Sequence, residues 1–229
     1  HAINASLYKN LSYDPVKDFE PVALVAFLPN VLLVDPNLGV HNVQELIALL
    51  KREPKRRTFA SSGNGTSTHL AGELFADLIG VPLTHVPYKG TPPAMVDVAA
   101  GQVTFMFDQM TAALPLLQAG KLRPLGVTTT QRVAAIADVP PLAEVGMPGH
   151  DTASWHTVTT TGDVPQPIID KLAGAIREGM ADPALIDTLT RDGTLPQTSP
   201  PPHELKAFVA SEIVRWGKII EQAGIAGLE

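Results

Sequence analysis

The chain has 229 residues, of which 45% are hydrophobic and 17% are charged, and its mean hydropathy is +0.11. This composition supports a sizeable apolar core and argues against bulk disorder, and the length fits one large α/β unit or two lobes. The formal charge is −6 and no long basic run occurs, so a nucleic-acid partner is poorly supported. No apolar run approaches the roughly 18 residues of a membrane span. The absence of cysteine excludes disulfides and thiolate metal sites.

The first part of the chain predicts an extended segment followed by alternating helices and strands. Residues 20–34 are rich in Val and Leu, with a bend predicted at Pro29. Asn42, with a Glu three residues later, predicts the start of a helix. This helix is predicted at 42–51. The elements predicted after it are a strand at 58–61, a helix at 66–79, a strand at 83–86, a helix at 93–100, a strand at 103–107, a helix at 112–119 and a strand at 122–127.

This alternation favours a parallel or mixed sheet covered by helices on both faces, with ligands bound outside the carboxyl ends of the strands. In the helix at 66–79, the spacing of Leu70, Leu74 and Leu78, with Phe75 and Ile79 beside them, predicts the buried stripe.

The last part of the chain predicts a second extended stretch and then helices alone. The stretch covers residues 154–161, and the helices are predicted at 167–180, 183–191 and 203–223. Because two extended segments bracket the middle of the chain, the sequence predicts two lobes joined by a hinge that the chain crosses twice. One lobe is predicted at residues 31–154, and the other is formed by residues 1–30 and 155–229.

The loop after the strand at 58–61 is rich in glycine and leads directly into an amphipathic helix. Its residues are Ser62, Gly63, Asn64, Gly65, Thr66 and Ser67. The unpaired N–H groups and partial positive charge of a helix N-terminus suit an anion, and glycines allow the backbone to approach it closely. Alternatively, Thr66 only caps the helix and the glycines only form the turn. Both interpretations stay open on the residues alone.

Nucleotide binding and catalysis lack their usual patterns. The loop has no third glycine at the spacing of a dinucleotide fingerprint, and no Gly-Lys-Ser/Thr triplet follows it. Neither an H-E-x-x-H zinc motif nor a G-x-S-x-G elbow occurs, and His69 and His156 are interpreted as structural or exposed. We therefore predict no catalytic residue, no metal site and no cofactor.

Four further residues are candidates for ligand contacts. Asp108, predicted to end the strand at 103–107, would accept a hydrogen bond from a ligand or water, or would instead cap the next helix. Tyr88 and Lys89 follow the strand at 83–86 and would face a cleft, although an exposed Lys is commonly only a surface charge. Trp155 would stack on a ligand or pack at the hinge.

Several segments occur in order along the chain and include YDPVKDFEPVALVA, ASSGNGTSTHLAGELF, HVPYKGTPPAMVDVAAGQVTFMFD, LPLLQAGKLRPLGVTT, DVPPLAEVGMPG and EIVRWGKIIEQAGI. Taken together, these segments resemble the Bug family, the extracytoplasmic solute receptors of tripartite tricarboxylate transporters. The resemblance covers essentially the whole chain. It implies an α/β fold of the type II periplasmic binding protein class, with two lobes around a hinge and a carboxylate held between them by a loop from each lobe.

The resemblance also implies roles for individual residues. Residues 62–67 match the second-lobe carboxylate loop, Asp108 matches a position facing the variable end of the ligand, and His1 and Ala2 match the end of a first-lobe loop. The implied partners are a small carboxylate and the membrane subunits of a transporter, and the implied location is the periplasm. Alternatives are a ligand-dependent partner of a membrane sensor kinase and an α/β enzyme acting on an anionic metabolite.

One departure from the family pattern concerns the start of the chain. A signal peptide and a first βαβ region with a P-G-G loop, which the family pattern includes, do not precede His1. We therefore expect an incomplete first lobe, a carboxylate grip lacking half of its contacts, and either weak ligand binding or self-association through the incomplete lobe.

Overall fold

The structure is a computed structural model and describes residues 1–227. It divides into two compact units, one formed by Leu28–Ser154 and the other by residues 1–27 together with the described residues from Trp155 onward. The helices and strands, in chain order, are α1 (Asn4–Leu7), β1 (Phe19–Leu28), β2 (Asn30–Val34), α2 (Val43–Arg52), β3 (Thr58–Ser61), α3 (Ser67–Ile79), β4 (Thr84–Pro87), α4 (Thr91–Ala99), β5 (Phe105–Gln109), α5 (Met110–Gln118), β6 (Arg123–Val127), β7 (Ser154–Thr161), α6 (Gln166–Met180), α7 (Pro183–Arg191), β8 (Leu195–Pro196) and α8 (Pro202–Gln222). None of the helices within residues 1–227 combines the length and apolar character that a membrane crossing requires.

The central unit is built on a five-stranded mixed sheet of order β4-β3-β5-β2-β6. β3 runs parallel to β4 and β5, whereas β2 runs antiparallel to β5 and β6. One core, between the sheet and helices α2 and α3, contains Leu46 and Phe75. A second core contains Met95 of α4 and Ala113 of α5. Helices therefore cover both faces of the sheet, which confirms the predicted α/β class.

The buried stripe of α3 agrees in part with the predicted one. Leu70, Phe75 and Ile79 are buried, whereas Leu78 is 41% exposed. Gly72 has no side chain and lets α3 approach β3 so closely that an added Cβ would lie 2.1 Å from the Phe59 ring. A pattern of large apolar residues cannot indicate this close approach, because it depends on the absence of a side chain.

Two boundaries in the central unit are shifted from their predicted positions. α4 begins at Thr91 instead of Pro93, because proline is tolerated in the first turn of a helix, where its missing N–H would have no intrahelical partner. β5 extends to Gln109 and α5 begins at Met110, so that Asp108 lies inside the strand.

The other unit contains a three-stranded sheet of order β7-β1-β8. β8 pairs antiparallel with β1, with Ala26 opposite Pro196 and Phe27 opposite Leu195. The prediction that the tail contains only helices is therefore wrong. A strand of two residues is too short to show an alternating pattern, and its proline fits the edge position that β8 occupies.

Candidate functional site

Two loops of the central unit and the start of α5 meet at one edge of the sheet. Because β3, β4 and β5 are parallel, their carboxyl ends lie at the same edge, and the residues that follow them are Ser62, Tyr88 and Met110. The Tyr88 amide donates to the Ser61 carbonyl at 3.1 Å, and the Gly90 amide donates to the Ser62 carbonyl at 3.0 Å. The two loops are thus joined backbone to backbone.

Hydroxyl groups hold the glycine-rich loop in place at the start of α3. Thr66 Oγ1 accepts from the His69 amide at 3.3 Å and donates to the Gly63 carbonyl at 2.8 Å. The Ser62 amide donates to Thr68 Oγ1 at 3.0 Å. Thr66 therefore caps the helix, as one of the two sequence interpretations requires. This cap bonds only some of the backbone N–H groups of the loop and the helix start.

The two glycines of the loop have positive φ angles, and the amide of each is already hydrogen-bonded within the protein. Gly63 has a φ of 139° and Gly65 a φ of 70°, a region that side chains disfavour. The Gly63 amide donates to Ser61 Oγ at 3.1 Å, and the Gly65 amide donates to His69 Nδ1 at 3.0 Å. These two amides shape the loop, and neither is free to bind a ligand.

Three other amides at the start of α3 have no acceptor within residues 1–227. They belong to Asn64, Ser67 and Thr68, and the last two are the first two residues of the helix. A helix of 13 residues adds the partial positive charge of its N-terminus at this point. The Ser67 hydroxyl accepts from Ser154 Oγ at 2.9 Å. The loop therefore presents a small set of fixed N–H donors suited to an anion.

Asp108 lies within β5, opposite Val31, and is 1% exposed. Its Oδ1 accepts from the Gln109 amide at 2.7 Å and from Thr91 Oγ1 at 3.1 Å, whereas its Oδ2 has no partner among the described residues. Burial raises the pKa of Asp108 to about 6, against the opposing effect of these hydrogen bonds. The alternative that Asp108 caps α5 is wrong, because that helix begins without a side-chain cap.

Tyr88 is tied to α4. Its hydroxyl donates to Asp97 Oδ2 at 2.6 Å, and burial together with this carboxylate raises the pKa of Tyr88 to about 12. Its ring packs against the core beneath α4 and α5. Lys89, the next residue, is exposed.

Three of the predicted site residues lie in the other unit. Trp155 Nε1 donates to Glu212 Oε2 at 2.8 Å, a contact that holds its ring in a fixed position. His1 Nε2 donates to the Pro15 carbonyl at 2.7 Å, and Ala2 is buried.

A buried polar group at the same edge of the sheet was not predicted from the sequence. Asn30 begins β2, which is antiparallel to β5, and its Nδ2 donates to the Thr152 carbonyl at 2.7 Å. Both residues are fully buried, and neither Asn30 Oδ1 nor Thr152 Oγ1 has a partner among the described residues. An amide side chain at the start of an otherwise apolar strand is the one signal that could have indicated it.

A serine and a histidine near the loop lie at the distance of a nucleophile and its base. Ser61 Oγ and His85 Nε2 are 2.6 Å apart. Ser61 is fully buried, however, and its hydroxyl is already bonded to the amide and the carbonyl of Gly63, so it is not presented to a substrate. Within residues 1–227, no group of three His, Asp or Glu side chains is arranged to hold a metal ion.

The family profile described as the tripartite tricarboxylate transporter family receptor (TctC) matches residues 2–225. The chain belongs to this receptor family. Among solved structures, R. palustris Rpa4515 with adipate is 37% identical to this TctC-family chain, with a TM-score of 0.89 over 98% of this chain and 75% of that one. MatC (Rpa3494) from Rhodopseudomonas palustris with bound malate is 30% identical, with a TM-score of 0.82 over 95% and 75% of the two chains.

The periplasmic binding protein BugD is 31% identical to this TctC-family chain, with a TM-score of 0.87 over 99% of this chain and 77% of that one. The predicted Bug-type receptor family and the periplasmic binding protein fold are therefore confirmed. The chain spans 64% and 65% of the lengths of curated relatives that are 33% and 34% identical to it.

Proposed function

We propose that this protein is a periplasmic receptor that binds a small carboxylate through the amides at the start of α3 and delivers it to a tripartite tricarboxylate transporter. The family supports the receptor role. The neighbouring structures with adipate and with malate support a carboxylate as the ligand.

The observation that carries this proposal is the set of unpaired amides of Asn64, Ser67 and Thr68 at one helix N-terminus. A carboxylate has two oxygens that accept from such donors, and no side chain of the loop competes for them with a negative charge. The buried Oδ2 of Asp108, at the same edge of the sheet, supplies an acceptor for a hydroxyl, an amine or a water at the other end of the ligand. Binding without chemistry fits a site whose one serine and histidine pair is closed to substrate.

A pair of substitutions at Ser67 tests the amides directly. Ser67 is the first residue of α3, where proline is well tolerated, and Thr66 before it has φ −75° and ψ 162°, which a following proline allows. Ser67→Pro removes one N–H donor and the hydroxyl, whereas Ser67→Ala removes the hydroxyl alone. The difference between the two variants isolates the amide.

Calorimetric titration with adipate and with malate would measure the affinity of each variant. Loss of one charge-assisted hydrogen bond costs about 1.5–3 kcal/mol, so Ser67→Pro should weaken binding by about 10-fold to 100-fold. Ser67→Ala should stay within about threefold of the unsubstituted protein, and the neutral diamide of adipate should not bind. Equal effects of the two substitutions, or equal binding of the diamide, would overturn the proposal.

A further inference from the structure

Two stacked histidines lie directly beneath the glycine-rich loop. His69, on α3, is 5% exposed and accepts the Gly65 amide at its Nδ1, so this nitrogen carries no proton. Its Nε2 carries the proton and lies 3.3 Å from Glu73 Oε1, one helical turn further along. The hydrogen bond that holds Gly65 thus depends on the neutral form of His69.

The second ring connects to the other glycine of the loop. His85, on β4, stacks on His69 with ring centroids 3.7 Å apart and an angle of 11° between the planes. Its Nε2 contacts Ser61 Oγ, which in turn bonds the amide and carbonyl of Gly63. Each glycine is therefore held, directly or through one hydroxyl, by one ring of the pair.

Few charges are available to balance a proton on this pair. The strands packed against α3 are β3, β4 and β5. β3 has no ionisable side chain, β4 contributes only His85, and Asp108 of β5 lies on the opposite face, bonded to Thr91 of α4. His150 also contacts α3, through the Ala71 carbonyl, and its own ring stacks on a phenylalanine of β5.

Glu73 is therefore the one carboxylate beside the two rings within the described residues. Burial, with a smaller effect of the charge on His69, lowers the pKa of His85 to about 4. Burial thus disfavours a charge on His85.

We propose that His69 is a positioning residue for the ligand loop, and that protonation of the His69–His85 pair releases Gly65 and lowers the affinity for the ligand. A proton on Nδ1 replaces the acceptor of the Gly65 amide by a second donor, so the 3.0 Å hydrogen bond is lost. The neighbouring amides of Asn64 and Ser67 then lose their fixed positions. This inference rests on the proposed function for its effect on affinity, but its structural step is independent of any ligand.

The first measurement needs no ligand. In the full chain, the amide proton of Gly65 is followed by NMR from pH 8.0 to pH 5.5. We expect its chemical shift to titrate and its hydrogen exchange to become at least fivefold faster than the intrinsic pH dependence of exchange accounts for. In His69→Asn, whose side-chain oxygen replaces Nδ1 as acceptor and takes up no proton in this range, the titration should disappear. A Gly65 amide that does not respond to pH would overturn the inference whether or not a carboxylate binds.

The second measurement links the pair to binding. The dissociation constant for adipate is measured at pH 8.0 and 5.5 for the unsubstituted protein and for His69→Asn, so that the titration of adipate itself cancels in the comparison. We expect affinity at pH 8.0 to agree within threefold, and the loss on acidification to be at least fivefold larger in the unsubstituted protein. His69→Phe, which has no acceptor, should bind weakly at both pH values. Equal pH dependence in the unsubstituted protein and His69→Asn would refute the inference, and absence of binding of both adipate and malate at pH 8.0 would instead count against the proposed function.

Discussion

Thr91 Oγ1 donates to Asp108 Oδ1 at 3.1 Å, and this contact satisfies one oxygen of a carboxylate whose other oxygen is buried without a partner. A buried carboxylate in this situation is destabilising when it is charged, because part of its hydration is lost and not replaced. Under the proposed function, the same oxygen would accept from a ligand or a water. Asp108 is therefore a position at which stability and binding are expected to conflict.

Asp108→Asn should stabilise the ligand-free protein at pH 8. Since burial raises the pKa of Asp108 to about 6, the charge costs up to about 3 kcal/mol of folding free energy above that pH. The carboxyl binds more protons in the folded state than in the unfolded state between pH 4 and 6, so its contribution to stability is present below pH 4 and is lost as pH rises. Urea unfolding should show a gain of about 1–2 kcal/mol for Asp108→Asn at pH 8 and none at pH 4. Asp138→Asn, at an exposed aspartate, is the matched control, and an Asp108→Asn gain independent of pH would contradict the argument.

The parts of the site that follow from local sequence could be predicted, and the parts that need distant segments could not. The cap of Thr66 and the loop before it depend on residues within a few positions of each other, so their pattern is visible in the chain. Asn30 and Thr152, by contrast, are 122 residues apart and come together only in the folded unit, where β2 lies between β5 and β6. No spacing rule connects them.

The histidine pair shows the same limit at shorter range. His69 and His85 are 16 residues apart, on a helix and on the strand after it, and their contact depends on β4 pairing in parallel with β3. The sequence indicated only a structural or exposed role for His69, whereas in the structure Glu73 Oε1 lies 3.3 Å from His69 Nε2, one turn further along α3. Which of several neighbouring side chains a helix turns towards another depends on the rotation of the helix about its axis, and the apolar spacing in α3 does not determine that rotation uniquely.

His150 should make the protein less stable in mild acid. Its Nε2 donates to the Ala71 carbonyl at 3.0 Å, and burial lowers its pKa to about 4. Because the unfolded chain binds a proton near pH 6.5 and the folded protein does not, stability from this group is complete above pH 6.5 and falls between 6.5 and 4. We expect His150 to contribute a loss of about 2 kcal/mol on going from pH 7 to pH 5, measured as the difference in this loss between the unsubstituted protein and His150→Gln in urea unfolding. His156→Gln, at an exposed histidine, should leave the loss unchanged, and the prediction fails if His150→Gln retains it in full.

Gly72→Ala should destabilise the central unit although alanine is the better helix former. The added methyl group would lie 2.1 Å from the Phe59 ring, which is itself stacked on His85 and has little room to move. Overpacking of this kind costs about 1–3 kcal/mol. This outweighs the stabilisation of roughly 1 kcal/mol that the higher helix propensity of alanine over glycine contributes. Gly174→Ala, in α6, is the matched control because nothing lies within 4 Å of its added Cβ, and it should be neutral or stabilising in thermal unfolding. Equal effects at the two positions would show that α3 can move away from β3.

Glu212→Ala should be among the most destabilising substitutions in the other unit. The carboxylate accepts from Trp155 Nε1 at 2.8 Å, from Trp216 Nε1 at 3.1 Å and from the Arg215 guanidinium at 2.7 Å, so its removal leaves the two indole N–H groups without these acceptors. Breaking a buried, fully hydrogen-bonded carboxylate site costs about 3–5 kcal/mol.

Urea unfolding followed by tryptophan fluorescence would report both the loss and the changed surroundings of the two indoles. Glu212→Gln keeps one acceptor oxygen and should lose less than Glu212→Ala, whereas Glu221→Ala, at an exposed position of the same helix, should change stability by less than about 0.5 kcal/mol. If Glu212→Ala and Glu221→Ala unfold at the same urea concentration, the indole contacts contribute nothing measurable, and Trp155 is held in place by ring packing against Phe208 alone.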